Sequence, residues 1–268
     1  MLTKWNNLDA VELTHANGSK AVITLHGAHV VEYIPCGTGD VLFVSEKSEF
    51  RSGKAIRGGV PVCFPWFGPA PDGQSGSHGF VRNSAWSLLA DNHDSAVFGF
   101  EAAQFQLRYT VTLTDKLTLS LQISNISATD FAYSGALHTY FRVGEAARIA
   151  IGGVDNTVYN DALSGADILQ DSPLVIDREI DRVYRSDAAV TIDDPDLKRR
   201  ITIAKNGSNS TVIWNPWIDK SRRLTDFGDE EYHQMLCVEA ANAPATGDDR
   251  VLAPGATAVL EQIISVTL

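Results

Sequence analysis

The sequence has no apolar run of the roughly eighteen residues that a membrane-spanning helix needs, and its opening Met1-Leu2-Thr3-Lys4-Trp5-Asn6-Asn7 lacks the apolar stretch of a secretion signal. A cytoplasmic protein is expected. Basic charge is scarce: 22 Lys and Arg stand against 33 Asp and Glu, for a net charge of −11. That balance argues against nucleic acid or an anionic membrane as partner, since either requires an extensive basic surface. It does not argue against a small anion, because screening over roughly 8 Å lets a pair of local arginines outweigh distant carboxylates. Cysteine is also scarce. Cys36, Cys63 and Cys237 are scattered without CxxC spacing, which fits reduced, mostly buried thiols rather than a disulfide framework or a zinc site. A GxSxG nucleophile elbow, a Walker loop, an HExxH pair and a dinucleotide fingerprint are all missing. No long helical periodicity, repeat or linker interrupts the 268 residues, so one domain spanning 1–268 is the first expectation.

What is present is β-strand pattern. Phe105, Leu107, Tyr109, Val111 and Leu113 alternate with polar residues, as do Leu117, Leu119, Leu121 and Ile123 beyond a short Thr114-Asp115-Lys116 link. This predicts an antiparallel hairpin with one apolar and one polar face. Strands are also predicted over 11–14 and 21–25 about Asn17-Gly18, and over 235–242 and 258–266. The segments 201–204 and 211–214 read as a further hairpin across Asn206-Gly207, and 219–227 is the best helix candidate. Along 131–141, Phe131, Tyr133, Leu137 and Phe141 share one parity. His138 has the other parity and projects to the opposite face beside Ala136 and Tyr140. The whole reads as an all-β protein, a large antiparallel β-sandwich with few short helices.

The chain is organised around 56–86, which concentrates Arg57, Gly58-Gly59, three prolines from Pro61 to Pro69, His78 and Arg82. The glycines let backbone turn or approach a ligand, and the prolines make a regular central strand unexpected through 61–69. If 78–82 is extended, His78, Phe80 and Arg82 share a face. Glu239 is the one carboxylate in an apolar strand, and a carboxylate there is either a structural hydrogen-bond acceptor or a general base. His138 and Glu239 on a sheet face, with His78, Arg57 and Arg82 on a loop above, would assemble an acid, a base and an anion clamp in one cleft. His26 and His29 fall on opposite strand faces, a poor metal pair. Trp66, Trp86, Trp214 and Trp217 are candidates for stacking on a sugar ring or for the core.

These residues also carry a resemblance. Ile56-Arg57-Gly58-Gly59-Val60-Pro61 with Phe64-Pro65-Trp66-Phe67-Gly68, His78-Gly79-Phe80-Val81-Arg82-Asn83, Ala136-Leu137-His138-Thr139-Tyr140-Phe141, Asp181-Arg182-Val183-Tyr184, Trp214-Asn215-Pro216 and Cys237-Val238-Glu239 occur in this order across most of the chain. Together they resemble the hexose-6-phosphate mutarotases, or glucose-6-phosphate 1-epimerases, of the aldose 1-epimerase superfamily. The resemblance implies a galactose-mutarotase-like supersandwich with a sugar site on one sheet. It implies His138 as general acid and Glu239 as general base, His78 near the sugar ring oxygen, Asp181 on a hydroxyl, and Arg57 with Arg82 on the phosphate. Ser77 departs from the glutamine that often precedes the histidine in similar sequences. No metal or organic cofactor is implied, the expected partner is a hexose 6-phosphate, and a monomer is expected. Three other readings compete: an epimerase of unphosphorylated aldoses, a non-catalytic sugar-binding sandwich, and a glycosidase or lyase, for which Glu239 lacks a second carboxyl partner.

Overall fold

The computed structural model describes residues 2–73 and 75–268. Its main elements are two eight-stranded antiparallel sheets and a four-stranded one near the N-terminus. The predicted hairpin is there: Phe105–Leu113 pairs with Leu117–Asn125 over its whole length, and its apolar positions are buried while the alternate ones are open or half-buried. The final strand, Thr257–Thr267, pairs with Leu117–Asn125 on one side and Arg199–Asn206 on the other. This sheet closes the main core, which holds Tyr109, Leu119, Leu121 and Ile203 together with Leu236, Val238 and Ile213 from the second sheet.

The second sheet carries the site, and its two faces have different jobs. Met235–Asn242 lies in its middle, buried at every position, between Ser210–Asn215 and the pair Gly135–Leu137 and Tyr140–Arg142. Strand alternation sends Leu236, Val238 and Ala240 into the main core with Ile213, Leu137 and Phe141. Each large side chain so buried contributes roughly 1.5–3 kcal/mol. The opposite parity carries Cys237, Tyr140 and Trp214 in one small cluster and Ala241, Ala136, Val212 and Cys63 in another. Glu239 and His138 fall between these two clusters.

Three local expectations are corrected. Arg199–Asn206 and Ser210–Asn215 are not a hairpin: the first pairs with Val190–Asp194 and Thr257–Thr267, the second with Ile180–Arg185 and Met235–Asn242. Asn206-Gly207 instead carries the chain from one sheet to the other. Buried Lys205 holds this crossing by donating to the carbonyls of Ser186 and Ser210 and to Ser208 Oγ. Nor is 78–82 extended, because His78 and Gly79 both have φ of 66° and Val81–Asn83 is a 3-10 turn. The proline-rich stretch forms no regular central strand, as expected: the two-residue Val62–Cys63 occupies the sheet edge, where missing donors are tolerated. The predicted helix forms slightly earlier, at Trp217–Arg223.

The crossing generates a prediction. Gly207 has φ of 72°, and a Cβ there would lie 1.8 Å from the Val259 carbonyl oxygen. Gly207→Ala is expected to lower the unfolding free energy by at least about 2 kcal/mol in urea titration, combining left-handed strain with a backbone clash. A loss below about 0.5 kcal/mol would contradict this account of the turn.

Candidate active site

The floor of the site is a grid read directly from strand register. Asp181 pairs with Trp214, Trp214 with Cys237, and Cys237 with Tyr140, forming one row across four strands. The next row runs Val183, Val212, Glu239. Leu137 opposes Ala240 and Tyr140 opposes Cys237, so the same register places His138 opposite Glu239. The ladder is interrupted there: the His138 amide donates to the Pro61 carbonyl and the Thr139 amide to Leu137. His138 Nε2 lies 3.4 Å from Glu239 Oε1, and both side chains are buried, Glu239 to 1 % exposure.

The walls come from loops. Gly58 and Gly59, both at positive φ, let the chain press against Phe43 and Val30; the Gly59 amide donates to Phe43 and its carbonyl accepts from Tyr140. Any Cβ at Gly59 would meet the Val30 carbonyl at 2.3 Å. This close approach sets Arg57 at the cleft edge, where Nη1 donates to Tyr140 Oη and Nη2 to Asp226 Oδ1, both at 3.1 Å. His78 and Arg82 come from the turn that replaces the expected strand, and Arg82 Nη2 donates to the Ser77 carbonyl at 3.0 Å. The helix Trp217–Arg223 brings Lys220, whose Nζ lies 2.9 Å from Glu179 and 3.6 Å from Asp181. Together they enclose about 340 Å³, a volume at the small end for ligand sites and suited to a monosaccharide.

The six residues singled out from the sequence, Arg57, His78, Arg82, His138, Asp181 and Glu239, all line this one cavity. Ser77 lines it too, and of the four tryptophans only Trp214 does. The sequence reading missed Lys220 and Asp226, for which a short polar helix and its following loop give no signal. Phe67 and Tyr140 lay within the quoted motifs without being assigned a part. His26 and His29 are elsewhere, each bonded through Nε2 to a backbone carbonyl, of Lys54 and Gly58 respectively.

Electrostatics separate the titratable groups. Burial pushes the Glu239 carboxyl well above its ordinary range, and the negative charge of Asp181 adds to this. Burial pushes His138 well down, assisted by His78, Arg82 and Arg57. The pair therefore favours uncharged forms. A histidine of lowered pKa is a stronger acid and a carboxylate of raised pKa a stronger base, so both shifts favour passing protons to and from a ligand. His78 is held at about 3, first by burial and then by the two arginines. It is a neutral imidazole, and because the Gly68 amide donates to its Nδ1 at 3.3 Å, its proton sits on Nε2. Asp181 is raised by burial, against the pull of Lys220. Glu239 Oε2, His138 Nδ1 and the Nε atoms of Arg57 and Arg82 are buried without hydrogen-bond partners. His138, Cys237 and Glu239 present N, S and O atoms within 4.8 Å of one another, a set able to approach a soft cation. Burial drives the Cys237 thiol well up, which works against the thiolate such an ion needs.

Glu239→Gln keeps the shape and removes the buried charge. The carboxyl's raised pKa means that native stability is lost as pH climbs from the ordinary carboxylate range through the raised value. The variant should therefore melt a few degrees higher than wild type at pH 8, with a smaller difference at pH 5. Equal or lower melting temperature at pH 8 would show that the carboxylate is not held against its solvation.

Comparison with known proteins places the geometry in context. Residues 9–265 match the family model described as Aldose 1-epimerase. A Salmonella typhimurium protein named "Putative glucose-6-phosphate 1-epimerase" is 34% identical over 253 residues, covering 90% of this chain and 85% of the relative. A protein of the same name from Cenchrus ciliaris is 32% identical over 261 residues, covering 88% and 79%. The crystal structure of a "putative mutarotase (YeaD)" from Salmonella typhimurium superposes with a TM-score of 0.90 at 29% identity, covering 99% of this chain and 92% of the other. With that match running from strand Leu8–Thr14 to strand Thr257–Thr267, the chain belongs to the aldose 1-epimerase family of isomerases.

Proposed function

We propose that the protein is a glucose-6-phosphate 1-epimerase, interconverting the α and β anomers of a hexose 6-phosphate through ring opening and reclosure. The observation that carries this reading is the buried His138–Glu239 pair at 3.4 Å in a cavity that Arg57 and Arg82 also line. The names of the relatives support the phosphorylated substrate. In this reading the protein acts as a monomer on a free phosphosugar in the cytoplasm, and residues 1–268 work as one unit. Among the described residues no helix is long and apolar enough to cross a membrane.

In the reacting state the Glu239–His138 pair has shifted one proton to become carboxylate and imidazolium; Glu239 then takes the proton of the C1 hydroxyl while His138 gives one to the ring oxygen. The C1–ring oxygen bond breaks and C1 becomes an aldehyde. At that point the carboxyl is protonated and the imidazole neutral, the uncharged combination that burial favours. Rotation about C1–C2 turns the other carbonyl face to the C5 hydroxyl. On reclosure Glu239 returns its proton to the C1 oxygen while His138 recovers one from the C5 hydroxyl. His78, with its proton on Nε2, donates toward the ring oxygen, and Asp181 accepts from a sugar hydroxyl. Arg57 and Arg82 hold the phosphate through charge-assisted hydrogen bonds. Trp214, in the same row as Asp181 and Tyr140, offers an apolar surface to the ring.

Exchange NMR of anomers separates this reading from its competitors. The wild type is expected to accelerate exchange of glucose 6-phosphate well beyond that of glucose or galactose. Arg82→Ala should raise KM for the phosphosugar about tenfold or more, the size expected for a lost charged hydrogen bond. Equal acceleration of free sugars would replace the phosphate reading with a general aldose epimerase. Failure to accelerate any of them would leave a sugar-binding protein.

A further inference from the structure

Histidines that transfer protons are usually oriented through their second ring nitrogen, whose hydrogen bond sets tautomer and ring plane together. His138 has no such bond. Its Nδ1 is buried without a partner, and of the backbone only its own residue acts on the ring, weakly. Something else must hold the ring.

The stacked neighbour is Tyr140, two residues on and on the same strand face. The two rings lie face to face with centroids 4.8 Å apart and planes 9° from parallel. Two other rings meet His138 by their edges, Trp214 at 6.3 Å and His78 at 5.5 Å, both at 78°, and Phe67 lies tilted to it at 6.5 Å and 58°. Rotating the imidazole out of plane would break the stack on one side and press on edges at the other. Tyr140 is itself fixed, being buried, paired with Cys237 in the sheet and hydrogen-bonded through Oη to Arg57. Arg57 is held in turn by Asp226.

We propose that Tyr140 is a positioning residue with two separable parts: its ring sets the plane of the His138 imidazole, and its hydroxyl sets the Arg57 guanidinium. One side chain then couples placement of the anionic end of the substrate to the aim of the proton donor. This rests on the reading of His138 as acid and Arg57 as anion ligand.

The test compares Tyr140→Phe, Tyr140→Leu and His138→Ala, with glucose 6-phosphate exchange read as kcat and KM and folding checked by thermal melting. Tyr140→Leu, which loses ring and hydroxyl, should lower kcat about tenfold or more, as misaimed catalytic groups do. Tyr140→Phe should recover most of that kcat while KM rises about fivefold or more, because only the Arg57 bond is lost. The ring nitrogen signals of His138 in 15N-labelled protein should stay near their wild-type positions in the Phe variant and move or broaden in the Leu variant. A folded Leu variant with wild-type kcat would overturn the proposal, provided His138→Ala is inactive. So would a Phe variant whose kcat falls about tenfold or more below wild type, and this second outcome decides the matter if the Leu variant does not fold. Near-wild-type turnover in His138→Ala would instead remove the acid assignment on which the proposal stands, and the proposal with it.

Discussion

The register between the strand Met235–Asn242 and the two short strands beside it is the constraint on which the rest depends. Because Leu137 opposes Ala240 and Tyr140 opposes Cys237, His138 has no freedom to face anything but Glu239. A slip of one residue by either strand would send its member of the pair into the main core and bring Leu137 or Val238 into the cleft. The slip is prevented from the other side of the sheet, where Leu236, Val238, Phe141 and Leu137 are locked into the large core. Hydrophobic packing on one face thus determines the chemistry on the other.

This arrangement places a polar pair where water is largely excluded. An unsatisfied buried polar group costs roughly 1–3 kcal/mol, and Glu239 Oε2 and His138 Nδ1 are both of that kind. The buried Leu, Val and Phe side chains of the same strands each return a comparable or larger amount. Burial penalises the ionised forms of both groups, so when ionised the carboxylate is a stronger base and the imidazolium a stronger acid than in water. The arginines sit at the edge of the same cleft, and their charges add to burial in lowering both histidines.

Much of the fold was readable where the pattern is local. The alternation at 105–123 gave the hairpin, and the parity along 131–141 separated His138 from the apolar row of Phe131, Tyr133, Leu137 and Phe141, all of which enter the core. Glu239 could be picked out as one carboxylate in a continuous apolar strand. What failed was choice of partner and of φ. Asn206-Gly207 has the same signature whether it closes a hairpin or crosses between sheets. The clue lay in 210–215, which lacks alternation and is buried throughout, as a central strand between two neighbours is. At 78–82, an extended guess missed two successive residues at positive φ, one of them a histidine. Yet that turn still brings His78 and Arg82 to the cleft, by a path other than the extended one. Lys220 and Asp226 were not readable because solvent-facing charge on a short helix and loop carries no mark of what it approaches in space.

The central claim is that the cross-strand carboxylate takes the proton. It is tested most directly by the anomer exchange rate of glucose 6-phosphate with Glu239→Gln, measured by NMR beside wild type at the same enzyme concentration. A loss of at least about a hundredfold, in a variant that remains folded, is the predicted result. Turnover near that of wild type would contradict the account, because the buried pair would then be an element of structure and the base would have to be sought elsewhere in the cleft.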